Sequence, residues 1–133
     1  MILAKPLSYM NTSGGPVSSL MKFFDVPVSR VLVVHDELDI DAGLVRVKVG
    51  GGHAGHNGLR DIISATESPD FARIRVGVGR PPGRQDAADF VLKDFSSTER
   101  KDMLPLLLET SADAIEAVVS RGVLEAQQTY NVR

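Results

Sequence analysis

Residues 31–39 read Val31-Leu32-Val33-Val34-His35-Asp36-Glu37-Leu38-Asp39. Four consecutive β-branched or leucine side chains suit a strand buried on both faces, as in a sheet covered by helices. The strand expected over Arg30 to His35 puts Asp36 and Glu37 at or just past its carboxyl end. A strand end that carries acids reads as part of a site rather than of a core.

Downstream, Gly43 to Val49 alternates. Leu44, Arg46 and Lys48 share one side and Val45, Val47 and Val49 the other, so a half-exposed strand is expected there. Then comes Gly50-Gly51-Gly52-His53-Ala54-Gly55-His56-Asn57-Gly58, five glycines within nine residues. Glycine is costly to order and is favoured where the backbone takes unusual angles or approaches something closely. All three histidines of the chain fall in these two segments. Asn57 has the chemistry of an N-cap for a helix through Leu59, Ile62 and Ile63 to about Ala65. Phe71 to Gly79 alternates again, with Arg73 and Arg75 expected to share one face.

Upstream, Met1 to Lys5 reads as a short strand stopped by Pro6. Asn11, Thr12 and Ser13 offer N-caps for a helix over Gly14 to Phe24, in which Val17, Leu20, Met21 and Phe24 repeat at helical spacing and which Pro27 ends. Toward the C-terminus, Arg80 to Arg84 reads as a loop. Ser96-x-x-Glu99 is a capping box that should open a short helix interrupted by Pro105. A further helix through Leu107, Leu108, Ile115, Val118 and Val119 should end at Gly122. Strands and helices alternate, which makes the fold class α/β.

The 133 residues suggest one domain, spanning 1–133. A chain of that size buries roughly two-thirds of its unfolded surface, enough for a stable core. There is no cysteine, hence neither a disulfide framework nor a thiolate metal site. No apolar run approaches the ~20 residues of a membrane span, and Pro6 breaks the N-terminus too early for a signal peptide. A cytoplasmic location is expected. The net charge of −2 hides an uneven distribution. Residues 46–84 hold seven Arg or Lys against three acids, while both flanks are acidic. Such a basic middle can bind phosphates even in an acidic protein, or it can be a solvated face.

His35, Asp36, Glu37, Asp39, His53 and His56 could in principle ligate a metal. Their spacing matches neither a helical His-Glu-x-x-His site nor a calcium loop, so no metal is expected. The glycine loop lacks the Gly-Lys-Ser/Thr ending of a P-loop, and no Gly-x-Ser-x-Gly elbow offers a serine nucleophile. What remains is acid–base or orienting chemistry by Asp36 with a nearby His or Asn. A carboxylate at a strand end can hold an imidazole in one tautomer and stabilise its protonated form. The competing readings are structural. Asp36 could cap a helix or pair with an arginine, His35 and His53 could be core residues, and Asn11 and Asn57 could be helix caps.

Taken together, these segments resemble bacterial peptidyl-tRNA hydrolase. The matching pieces are Lys5-Pro6-x-x-Tyr9-Met10-Asn11-x-Ser13-Gly14, Val33 to Asp39, Gly50 to Leu59, Phe71 to Pro81 and Phe90-Val91-Leu92, in collinear order. The resemblance implies a single-domain, three-layer α/β fold with a mixed, twisted sheet flanked by helices. It implies a cytoplasmic, monomeric, metal- and cofactor-independent enzyme that cleaves the ester between a peptide and tRNA, recycling tRNA from stalled translation. Carried over residue by residue, Asp36 resembles the acid that supports a catalytic histidine. Asn11 and Asn57 resemble amides that grip the peptide backbone and the tRNA terminus or water. Met10 and His56 resemble residues lining the same cleft, Tyr9 an aromatic contact to the tRNA end, and Lys48 and Arg75 a pair that clamps a tRNA phosphate.

The same resemblance implies truncation at the N-terminus. Members of the family carry a further segment before the position of Ile2, with an Asn-Pro-Gly turn and an Arg-His-Asn motif that supplies the general base. Neither motif occurs here, and none of His35, His53 and His56 matches that base. A start at an internal Met, a fragment, or a short variant would each account for this. A non-catalytic module binding the tRNA acceptor end is the alternative function.

Overall fold

The structure is a computed structural model that describes residues 1–7, 9–79 and 103–131. The loop at Arg80–Arg84, the Phe90-Val91-Leu92 match and the Ser96-x-x-Glu99 box lie outside the described residues. Two compact units are present. One comprises Met1–Val31 with Val49–Ala72, the other Leu32–Lys48 with Arg73–Arg133.

All but the margins of the sheet, Val49 and Ala72, belongs to the second unit. The strands are β1 (Leu32–Glu37), β2 (Val45–Val49) and β3 (Ala72–Gly77), in the order β1-β3-β2. The amide of Ala72 donates to the Val31 carbonyl and that of Val78 to Glu37, start to start and end to end, so β1 and β3 are parallel. The Gly77 amide donates to Leu44 and the Gly50 amide to Phe71, so β2 runs antiparallel to β3. The sheet is mixed and the fold is α/β, as expected.

That register places Val45 opposite Val76 and Val47 opposite Ile74. Their face forms the core with Leu107, Ala114 and Ala117 of α3 (Leu104–Arg121) and Ala126 of α4 (Val123–Tyr130). The three alanines let the helices approach closely. Each fully buried large side chain, such as Ile74, contributes roughly 1.5–3 kcal/mol. The other face then carries Arg46 opposite Arg75 and Lys48 opposite Arg73. Alternation in β2 was therefore read correctly.

β1 begins and ends two residues later than expected and holds Asp36 and Glu37 at its carboxyl end, but it departs from expectation in not being buried on both faces, because Val34 is 48% exposed. The core against α3 and α4 is built on β2 and β3 and takes in Leu32 only at its margin. Pro105 occupies the first turn of α3, where a missing N–H costs nothing, and the short helix expected before it lies outside the described residues. α3 stops at Gly122, as expected, whose φ of 89° favours glycine. The short α4 beyond it was not foreseen.

In the first unit, a 3₁₀ turn (Met10–Thr12) leads into α1 (Gly14–Phe24), and the glycine loop leads into α2 (Asn57–Thr66). α1 matches its expected bounds. Its end is made by Asp25 in the left-handed conformation, whose amide bonds Lys22 while that of Val26 bonds Met21, rather than by Pro27 itself. Met1–Lys5 is not a strand. The segment joins no sheet among the described residues and leaves Met1 and Leu3 exposed, so its backbone has no ladder to enter.

Candidate functional site

Of the residues singled out from sequence, the sheet unit holds Asp36, Lys48 and Arg75, with His35 and Glu37 beside the first. Asp36 is partly buried near the end of β1. His35 beside it is buried, and its Nδ1–H donates to the Asp36 carbonyl at 2.8 Å, which fixes its tautomer. Glu37, the next residue, pairs with an arginine. Its Oε1 takes both Nε and a terminal nitrogen of Arg75, each at 3.0 Å.

The four cations of the exposed-strand reading have different fates. Arg46 donates to the carbonyls of Val45 and Tyr130, a cation placed at the carboxyl end of α4 where the helix dipole favours it. Arg73 is not on a solvated face. It is only 2% exposed, because β3 is the central strand. Burial, and then the positive charge of Arg75, lower its pKa from the usual arginine value. Lys48 is half-buried, and its ammonium makes no hydrogen bond or ion pair among the described residues. Lys48 and Arg75 lie on neighbouring strands, but not opposite each other.

The helical unit holds the rest. Tyr9 is exposed, and Met10 and Asn11 open the 3₁₀ turn, with Asn11 exposed. This turn packs against α2. The N-cap of α2 is His56, not Asn57. The Nδ1 of His56 accepts the Leu59 amide at 3.1 Å. Imidazole serves here because His56 holds the extended backbone angles of a cap, while Asn57 is already the first helical residue and points out exposed. The reading of Asn57 as a cap is thereby corrected, which leaves its amide for other partners. His53 is used in the same way, its Nδ1 accepting the Gly55 amide at 3.0 Å. Positive φ at Gly50, Gly51 and Gly55 explains the glycine density of this loop.

Among the described residues, no three His, Asp or Glu side chains come together in a way that could hold a metal ion. Among them, too, no helix is long and apolar enough to cross a membrane. A polar hollow lined by Asp113, Glu116, Ser120, Arg121 and Tyr130 contains none of the residues singled out from sequence.

Comparison with known proteins gives one answer. The family model described as peptidyl-tRNA hydrolase matches residues 1–133. A peptidyl-tRNA hydrolase of Arthrobacter sp. (strain FB24) is 61% identical over 98% of this chain and 66% of its own length. One of Kineococcus radiotolerans is 60% identical over 98% of this chain and 65% of its own length. The crystal structure of the Acinetobacter baumannii enzyme superposes with a TM-score of 0.80 at 35% identity, covering 96% of this chain and 64% of that one. The chain thus spans slightly less than two-thirds of the length of these relatives. By sequence and by fold, it belongs to the peptidyl-tRNA hydrolase family.

Proposed function

We propose that this chain serves the hydrolysis of the ester between peptide and tRNA in peptidyl-tRNA, as a cytoplasmic, monomeric hydrolase that needs no metal or cofactor. The observation that carries this is the family match through the entire chain, together with relatives that bear that name at about 60% identity. In this reading Asp36 orients an imidazole and stabilises the imidazolium formed when water is activated. Asn11 and Asn57 hold the peptide backbone and the tRNA terminus, and Tyr9, Met10 and His56 line their cleft. Lys48 and Arg75 take a tRNA phosphate, for which Arg75 must share or release Glu37.

A second reading has its own support. Each of the three imidazoles already has Nδ1 committed to a nearby backbone group, and none follows an Arg-His-Asn motif. That favours a role in binding the acceptor end without turnover for these 133 residues alone. One experiment separates the two. Binding and deacylation of N-acetylaminoacyl-tRNA are measured for this polypeptide, and for the same polypeptide joined to the N-terminal segment of the Arthrobacter relative. Binding by both with turnover only in the second supports the hydrolase. Binding without turnover in either favours the binding module. No salt-dependent binding by either would overturn both.

A further inference from the structure

We infer that Asp61 is a positioning residue for substrate. Its carboxylate pins the turn carrying Asn11 to the helix face that carries Asn57. The inference rests on the placement of those two amides in the proposed function.

α1 begins without a cap of its own. Ser13 occupies the N-cap position in a helical conformation, and its side chain makes no capping bond. The first amide of the helix, that of Gly14, instead donates to Asp61 Oδ2 at 2.7 Å, across 47 residues of sequence. A carboxylate at a helix start satisfies an orphan donor and meets the positive end of the helix dipole. The fit is close. A Cβ on Gly14 would collide with the backbone carbonyl of Asp61 and with its Oδ2, which explains glycine at this buried position.

The geometry extends the contact to the proposed site. Asp61 lies four residues after Asn57 on α2, so the two share a helix face. Gly14 follows Asn11 by three residues, and the intervening 3₁₀ turn packs on α2. Within that turn the Thr12 amide and hydroxyl both donate to the Tyr9 carbonyl. The Gly14–Asp61 bond is a polar tie between the segment bearing Asn11 and the helix bearing Asn57. Two amides that grip one ligand must be held at a fixed separation, and small misplacements at a site are costly.

The test is a double-mutant cycle read as affinity for N-acetylaminoacyl-tRNA. Asp61→Ala should weaken binding by about tenfold or more, by the cost of misplaced groups. Asp61→Asn keeps an acceptor for the Gly14 amide and should recover most of that loss. In an Asn11→Ala background, Asp61→Ala should cost less than about twofold, because the residue it places is already gone. Hydrogen exchange at the Gly14 amide should accelerate in Asp61→Ala. Where that variant does not fold, Asp61→Ser, which removes the carboxylate without adding bulk, replaces it in the cycle. Equal losses with and without Asn11 would show that Asp61 acts through general stability, and would overturn the inference. No effect of Asn11→Ala by itself would instead remove Asn11 from the proposed site, and the inference with it.

Discussion

Asn131→Ala should destabilise the sheet unit far more than an exposed residue near a chain end ordinarily would. β2 is an edge strand, and its pairing register turns Leu44 and Gly50 toward β3. By alternation, the N–H and C=O of Val47 point the other way, to the edge. Asn131 closes that edge like a short strand. Its Oδ1 accepts the Val47 amide at 2.8 Å, and its Nδ2 donates to the Val47 carbonyl at 2.8 Å. The carbonyl has a second donor in Gln127 Nε2 at 3.3 Å, whereas among the described residues the amide has Asn131 as its one partner. Truncation therefore orphans one donor on a residue that is 2% exposed. An unsatisfied buried donor costs about 1–3 kcal/mol, and the exposed rim brings the value to the lower half of that range. About 1–2 kcal/mol corresponds to a fall of about 4–8 °C in Tm for a chain of this size. Urea denaturation supplies the stability and hydrogen exchange at Val47 the local reading. Gln127→Ala should cost less, because it leaves both Asn131 bonds in place. Unchanged exchange at Val47 in Asn131→Ala, or a larger loss in Gln127→Ala, would refute the edge argument.

Three further outcomes follow from the site residues. In the protein joined to the relative's N-terminal segment, Asp36→Asn should lower kcat by about 10²–10⁴ while changing tRNA affinity little, since an amide cannot stabilise an imidazolium; an unchanged kcat removes Asp36 from the mechanism. Lys48→Ala and Arg75→Ala should each reduce the slope of log affinity against log salt by about one, equally for different tRNAs. A selective loss for one tRNA with the slope intact would point to base readout instead. His56→Ala should cost about 1 kcal/mol through the lost cap of α2, and His56→Asn should restore stability. Equal denaturation midpoints for His56→Ala and the parent would contradict the capping role.

Where neighbours in sequence supply the physics, the structure could be read without coordinates. The bounds of α1 follow from apolar spacing, the two faces of β2 from alternation, and the end of α3 from a glycine free to take positive φ. The residues proposed for the site likewise stand in short contiguous motifs. What failed depends on neighbours distant in the chain. Alternation placed Arg73 and Arg75 on one face, but only the strand order made β3 central and withdrew Arg73 from water. Both His56 and Asn57 have cap chemistry, and the backbone angles at the end of the glycine loop chose the histidine. Glu37 met Arg75 because parallel pairing of β1 with β3 brings those two side chains to one face. The cap on α1 and the closure of the β2 edge come from residues 47 and 84 positions away. Local pattern decides which element forms and which face is apolar. Which polar group satisfies an orphaned donor is decided by whatever the fold brings within three ångströms, and that is a property of tertiary structure alone.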